Sequence, residues 1–190
     1  TSSPYSLMKT NSTKWQDLAD NFYNAICEKN GNTEVMWVRD YVYPGQTHGF
    51  TKSCIPRNMN QDVESSMMSV LLNLVEAYEP LSTSTPGVAA KFETGNVQDP
   101  VFFDTPTELF TARDPRLGGT VLYPGSFFNG METELQGGQL NKENGAWTIK
   151  TSTRGTQDSD GNVITAISGP YEPRDDRQCN RTGFYIRKFL

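Results

Sequence analysis

From Thr13 to Lys29 the apolar positions recur at steps of three and four residues: Trp15, Leu18, Ala19, Phe22, Tyr23 and Ile26. That spacing puts them on one face of an α-helix spanning about residues 13–29. Thr13 with Gln16 has the form of a capping box, and Asn30-Gly31 is a stop signal. From Thr33 to Val42 the pattern changes to alternation. Val35, Trp37, Arg39 and Tyr41 share one face, and Met36, Val38, Asp40 and Val42 share the other. This predicts a strand near 34–42, covered on both sides for part of its length, with a local Arg39–Asp40 ion pair. A loop follows from Tyr43 to Asn60. Asp62 to Glu79 returns to helical spacing through Val63, Met67, Val70, Leu71, Leu74, Val75 and Tyr78, with Asp62 as N-cap and Pro80 as terminator. It is the second main helix, at about 62–79.

The second half is read in shorter pieces. Leu81 to Pro100 is rich in Ser, Thr, Pro and Gly and is a long loop. Val101-Phe102-Phe103 and Glu108-Leu109-Phe110 are apolar pieces that dock it. Asp114-Pro115 opens a short turn, since Asp caps and Pro suits the first helical position. Arg113 and Arg116 are placed to hold the Asp114 carboxylate, and Gly118-Gly119 is expected to end the turn. A strand near 119–123 is closed by Pro124-Gly125. Two adjacent Phe residues, Phe127 and Phe128, cannot both face inward on an extended chain. Further strands are expected near 146–151 and 183–189. Asp158 to Thr165 reads as a turn into a short strand, because Asp-Gly is a hairpin signal. The whole is α+β and loop-rich, a single domain with two main helices and several short strands.

Composition narrows the function. Net charge is −5 over 190 residues, and basic residues do not cluster, which disfavours nucleic acid as a partner. The Cys residues stand at 27, 54 and 179, with a single His at 48, so a Cys/His metal site is not expected. Asp158-Ser159-Asp160-Gly161-Asn162 resembles the start of a calcium loop, but Ala166 and Ile167 stand where further ligands are needed. No cofactor is implied. His48 has no local orienting group, so it is read as a surface loop residue and not as a general base. The run from Tyr171 to Arg181 alternates in charge and is read as a solvated, self-paired surface. No stretch reaches the ~20 apolar residues of a membrane span, and no signal peptide opens the chain.

Arg113-Asp114-Pro115-Arg116 followed by Thr120-Val121-Leu122-Tyr123-Pro124-Gly125 resembles the central signature of the SusD/RagB family of outer-membrane nutrient-binding lipoproteins. Leu74 to Glu79 resembles the helix ahead of that signature, and Thr182 to Leu190 the strand behind it. The resemblance implies a SusD-like central region without the N-terminal helical-repeat lobe, so that the chain is expected to be a piece cut at both ends. It implies a non-catalytic binder of a glycan or peptide at the bacterial cell surface that hands its ligand to a TonB-dependent (SusC-like) transporter. The signature residues Arg113, Asp114, Pro115 and Arg116 are expected to be structural.

A sugar presents flat C–H faces and a rim of hydroxyls, so its binder needs rings beside amides, carboxylates or Arg. Asn144 and Trp147, Phe127 and Phe128, and Tyr171 with Arg174 meet that description. Trp147 is the first candidate. Its competing reading is a buried ring that seeds the strand Thr148-Ile149. Two other functions stay open. A glycoside hydrolase would need two carboxylates across a cleft, with Glu76, Asp104, Glu108, Asp114 and Glu172 as the supply. A protein-interaction module would need no ligand at all.

Overall fold

The computed structural model describes residues 3–56, 59, 67–82, 87–133, 139–150 and 182–190. Tyr171, Arg174, Cys179, Glu172, the Asp158–Asn162 run and the expected cap Asp62 lie outside them. The described elements are helices α1 (Trp15–Cys27), α2 (Phe50–Cys54), α3 (Leu72–Glu76), α4 (Glu108–Thr111) and α5 (Arg116–Thr120). The strands are β1 (Val121–Leu122), β2 (Phe127–Phe128), β3 (Met131–Glu132), β4 (Gln139–Glu143), β5 (Ala146–Lys150) and β6 (Tyr185–Ile186). All the paired strands are antiparallel, so the fold is mixed α+β.

The centre is the contact of α1 with α5. Gly118 and Gly119 lie inside α5 and do not terminate it. A Cβ on Gly118 would stand 2.5 Å from the Trp15 ring, and one on Gly119 would stand 2.7 Å from the Ala19 carbonyl oxygen. The two glycines therefore exist to let α1 approach, and Ala19 completes a small-residue seam. Trp15 donates its indole N–H to the Arg113 carbonyl and packs edge-on to Tyr123. Around this seam Val70, Val75, Phe110, Leu117, Val121, Tyr123 and Phe184 form the core. Burial pushes the Tyr123 phenol up to about 12.

β1 continues directly from α5 and pairs with β6, Val121 opposite Ile186 and Leu122 opposite Tyr185. On β6, Ser69 bridges Tyr185, and the Val70 N–H donates to the Phe184 carbonyl at 3.1 Å. This corrects the expected helix at 62–79. Its described part is helical only over Leu72–Glu76, and residues 67–71 are not helical. The amides of Met67 and Val70 bond to Ser53 and Phe184, so they cannot serve a helical ladder. Of the expected apolar face, Val70, Val75 and Tyr78 enter the core, whereas Met67, Leu71 and Leu74 are exposed.

The expected strand at 34–42 does not form. Residues 35–42 have no paired strand among the described residues, and Met36, Trp37, Val38, Tyr41 and Val42 are all exposed, Trp37 at 93%. Asp40 pairs with Lys29 at 3.5 Å, not with Arg39. The loop after it contains α2. The capping box is also not used. α1 begins after Lys14 with no side-chain cap, and the Ser12 hydroxyl accepts the Lys14 N–H while donating to Asp17. Gln16 instead donates to Asp20 one turn on.

The remaining strands form two hairpins. β2 and β3 turn through Asn129-Gly130, and β4 and β5 through Asn144-Gly145, with φ of 50° and 77° and of 51° and 82°. Positive φ at both central residues matches the twist of the strands, and Asn-Gly tolerates it at least cost. β5 falls where a strand was expected at 146–151. Its partner β4 was not anticipated, because Gln139 to Glu143 is almost wholly polar.

Candidate functional site

The signature residues form a structural knot. The Asp114 carboxylate accepts the Arg116 backbone N–H at 2.8 Å and the Arg116 guanidinium at 2.6–3.0 Å. Pro115 sits in helical geometry at the entry of α5. Burial pushes the Asp114 carboxyl upward, but the Arg116 side-chain and backbone hydrogen bonds and the Arg116 charge outweigh it. The net result lies below the ordinary value. Arg113 turns away from Asp114. Its guanidinium, only 4% exposed with its residue, donates to the carbonyls of Glu76, Tyr78 and Ala90 and lies 4.0 Å from the Phe92 ring centre. Burial lowers its pKa, with Glu76 opposing. The three carbonyls come from the end of α3 and the loop beyond, so Arg113 gathers those segments onto the signature.

Arg187 plays the matching part behind β6. It donates to the Gly118 carbonyl at 2.7 Å and to Asp20 at 2.6 Å, over the Tyr23 ring. In the sequence it stands beside Lys188 like any short basic pair, and nothing local marks it as buried.

The described ligand candidates, Asn144 with Trp147 and Phe127 with Phe128, fall on separate hairpins. Trp147 on β5 is half-buried, its ring 5.2 Å from that of Phe102 and near the Lys142 ammonium. Asn144 supplies the hairpin turn. On β2, Phe127 is exposed and Phe128 is half-buried against Tyr23, so the pair divides between solvent and core. Among the hydrolase candidates, Glu76 accepts the Phe92 N–H, Glu108 the Asp104 N–H, and Asp114 is held by Arg116. These carboxylates fix backbone.

A cleft of about 480 Å³ opens instead between the C-terminal end of α1 and the segment 35–48. Lys29, Asn32, Val38, Arg39, Tyr41 and His48 are in its wall. An adjoining hollow of about 470 Å³ shares Arg39, Asp40 and Tyr41. Each is within the usual range of small-ligand sites. Asn32 sets the geometry. Its amide donates to the Ala25 and Glu28 carbonyls, closing α1, and its oxygen accepts the Glu34 and Val35 N–H groups, directing the chain outward. Lys29 then bonds the Tyr41 carbonyl as well as Asp40, tying the segment back to the helix end. Tyr41 meets His48 edge-on at 4.9 Å, and the His48 Nδ1 accepts the Phe50 N–H. Trp37 and Tyr43, 93% and 85% exposed, stand on the same segment.

Sequence reasoning passed over this cleft because it assigned 34–42 to a covered strand and His48 to a plain loop. The signal available was the density of rings, Trp37, Tyr41, Tyr43 and Phe50, around the one His. Among the described residues no group of three or more His, Cys, Asp and Glu side chains is placed to hold a metal, and no helix is long and apolar enough to cross a membrane. Comparison with known proteins finds no matching family, no matching curated protein and no matching solved structure.

Proposed function

We propose that the chain binds glycans without transforming them, with the cleft at the end of α1 as the binding surface. The observation that carries this reading is the exposed ring set of Trp37, Tyr41 and Tyr43 beside a ligand-sized cleft furnished with Arg39, Lys29 and His48. Exposed rings offer faces to the C–H surface of a sugar, and the polar groups meet its hydroxyls. The motif resemblance extends the reading. It makes the chain a SusD/RagB-like central region on a cell-surface lipoprotein of the outer membrane, delivering a glycan or other nutrient oligomer to a TonB-dependent transporter.

The test is titration of the chain against a panel of plant, host and microbial oligosaccharides by calorimetry, with reducing-end release assayed on the same mixtures. Saturable heat without release supports the reading. Release of product would make the protein a glycoside hydrolase. Silence across the panel, with a transporter recovered in pull-down, would make it an interaction module.

A further inference from the structure

The hydrogen-bond inventory of the cleft is lopsided. Its acceptors are largely engaged: Asp40 is neutralised by Lys29, Glu28 holds the Asn30 N–H, and the Asn32 oxygen takes two backbone N–H groups. Its donors are not. Among the described residues the Arg39 guanidinium, which lines both hollows, has no carboxylate partner. His48 accepts at Nδ1, so the neutral imidazole carries its proton at Nε2 and has that N–H left to donate. A neutral sugar hydroxyl needs acceptors as well as donors. A carboxylate takes donors alone, and a guanidinium matches it with two parallel bonds.

We propose that, within the glycan-binding reading on which this rests, the ligand is acidic: a uronic-acid oligosaccharide whose carboxylate is held by Arg39, with His48 donating beside it and Tyr41 against the sugar face. Asp40 is paired with Lys29, and Glu28, the other carboxylate of the wall, balances Arg39 in the sum, so the attraction for the anion is local to the Arg39 guanidinium.

The experiment titrates wild type and Arg39→Gln with oligomers containing galacturonate, mannuronate or glucuronate, each beside its neutral counterpart. At least one acidic oligomer is expected to bind wild type ten times or more tighter than its neutral counterpart. Arg39→Gln should abolish that preference, and raising NaCl from 50 to 500 mM should weaken the acidic ligand selectively, since partly exposed charge pairs are screened. Thermal melting of Arg39→Gln should match wild type, showing that the lost preference is not lost structure. Neutral oligomers binding as well as acidic ones, or Arg39→Gln keeping the preference, overturns the acidic-ligand inference and leaves the glycan reading in place. Absence of binding to every oligomer overturns both.

Discussion

The seam between α1 and α5 and the segment from Val35 to Tyr43 begin from similar material and end differently. Both hold a Trp, Tyr residues or neighbours, and β-branched aliphatics. In the seam, Trp15 and Val121 close on Gly118, Gly119 and Ala19. In the segment, Met36, Trp37, Val38 and Val42 face solvent. The seam is buried because small residues let a second surface come close enough to exclude water. The segment also carries apolar side chains, and among the described residues no surface closes over them. Apolar content is a capacity for burial, and shape complementarity decides whether it is realised.

The contrast predicts unequal responses to substitution. The largest is expected at Gly119→Val. Its side chain would collide with the Ala19 carbonyl and the Phe22 ring, which belong to a helix with little room to retreat. A loss of roughly 3 kcal/mol or more is expected from overpacking against backbone, read as a fall in the urea midpoint. Arg113→Met should follow at about 2–4 kcal/mol, because it removes the donors to three backbone carbonyls. Thermal melts of the two variants rank them.

Asp114→Ala should cost roughly 1–3 kcal/mol through loss of the carboxylate bonds at the entry of α5. The pH dependence has a defined sign. The folded carboxyl lies below its ordinary value of 3.8, so its contribution is full above that value and is lost as pH falls below it toward the lower folded value. Stability measured from pH 7 to pH 2 should therefore drop less steeply in Asp114→Ala than in wild type. In the open segment the effects should be small. Trp37→Ser is expected to change stability by no more than about 0.5 kcal/mol, the usual range for surface substitutions. A stability loss comparable to that of Gly119→Val would mean that the segment is packed after all.

These differences also mark how far the amino-acid order could be read. α1 was legible because its stripe of apolar residues at helical spacing is long enough to outweigh local detail. Asp114 and Pro115 were legible because their instruction is confined to adjacent residues. Gly118 and Gly119 were misread as a stop signal because glycine permits close packing as readily as it ends a turn, and only Trp15, about a hundred positions away, distinguishes the two. Residues 67–71 were read as helix because helical spacing ignores the competing bonds that Ser53 and Phe184 offer. Arg113 was read as a partner for the Asp114 carboxylate, yet its bonds go to backbone carbonyls that sequence pattern does not display. The cleft was missed because its walls come from a helix end and from a segment whose pattern promised a strand.

The central claim is that the ligand surface is the open segment and the end of α1, not the hairpin that bears Trp147. Hydrogen–deuterium exchange of the chain with and without a saturating glycan tests it most directly. The account predicts slower exchange in residues 29–48 on binding, with residues 142–148 unchanged. Protection confined to 142–148, with residues 29–48 exchanging as freely as before, would contradict it.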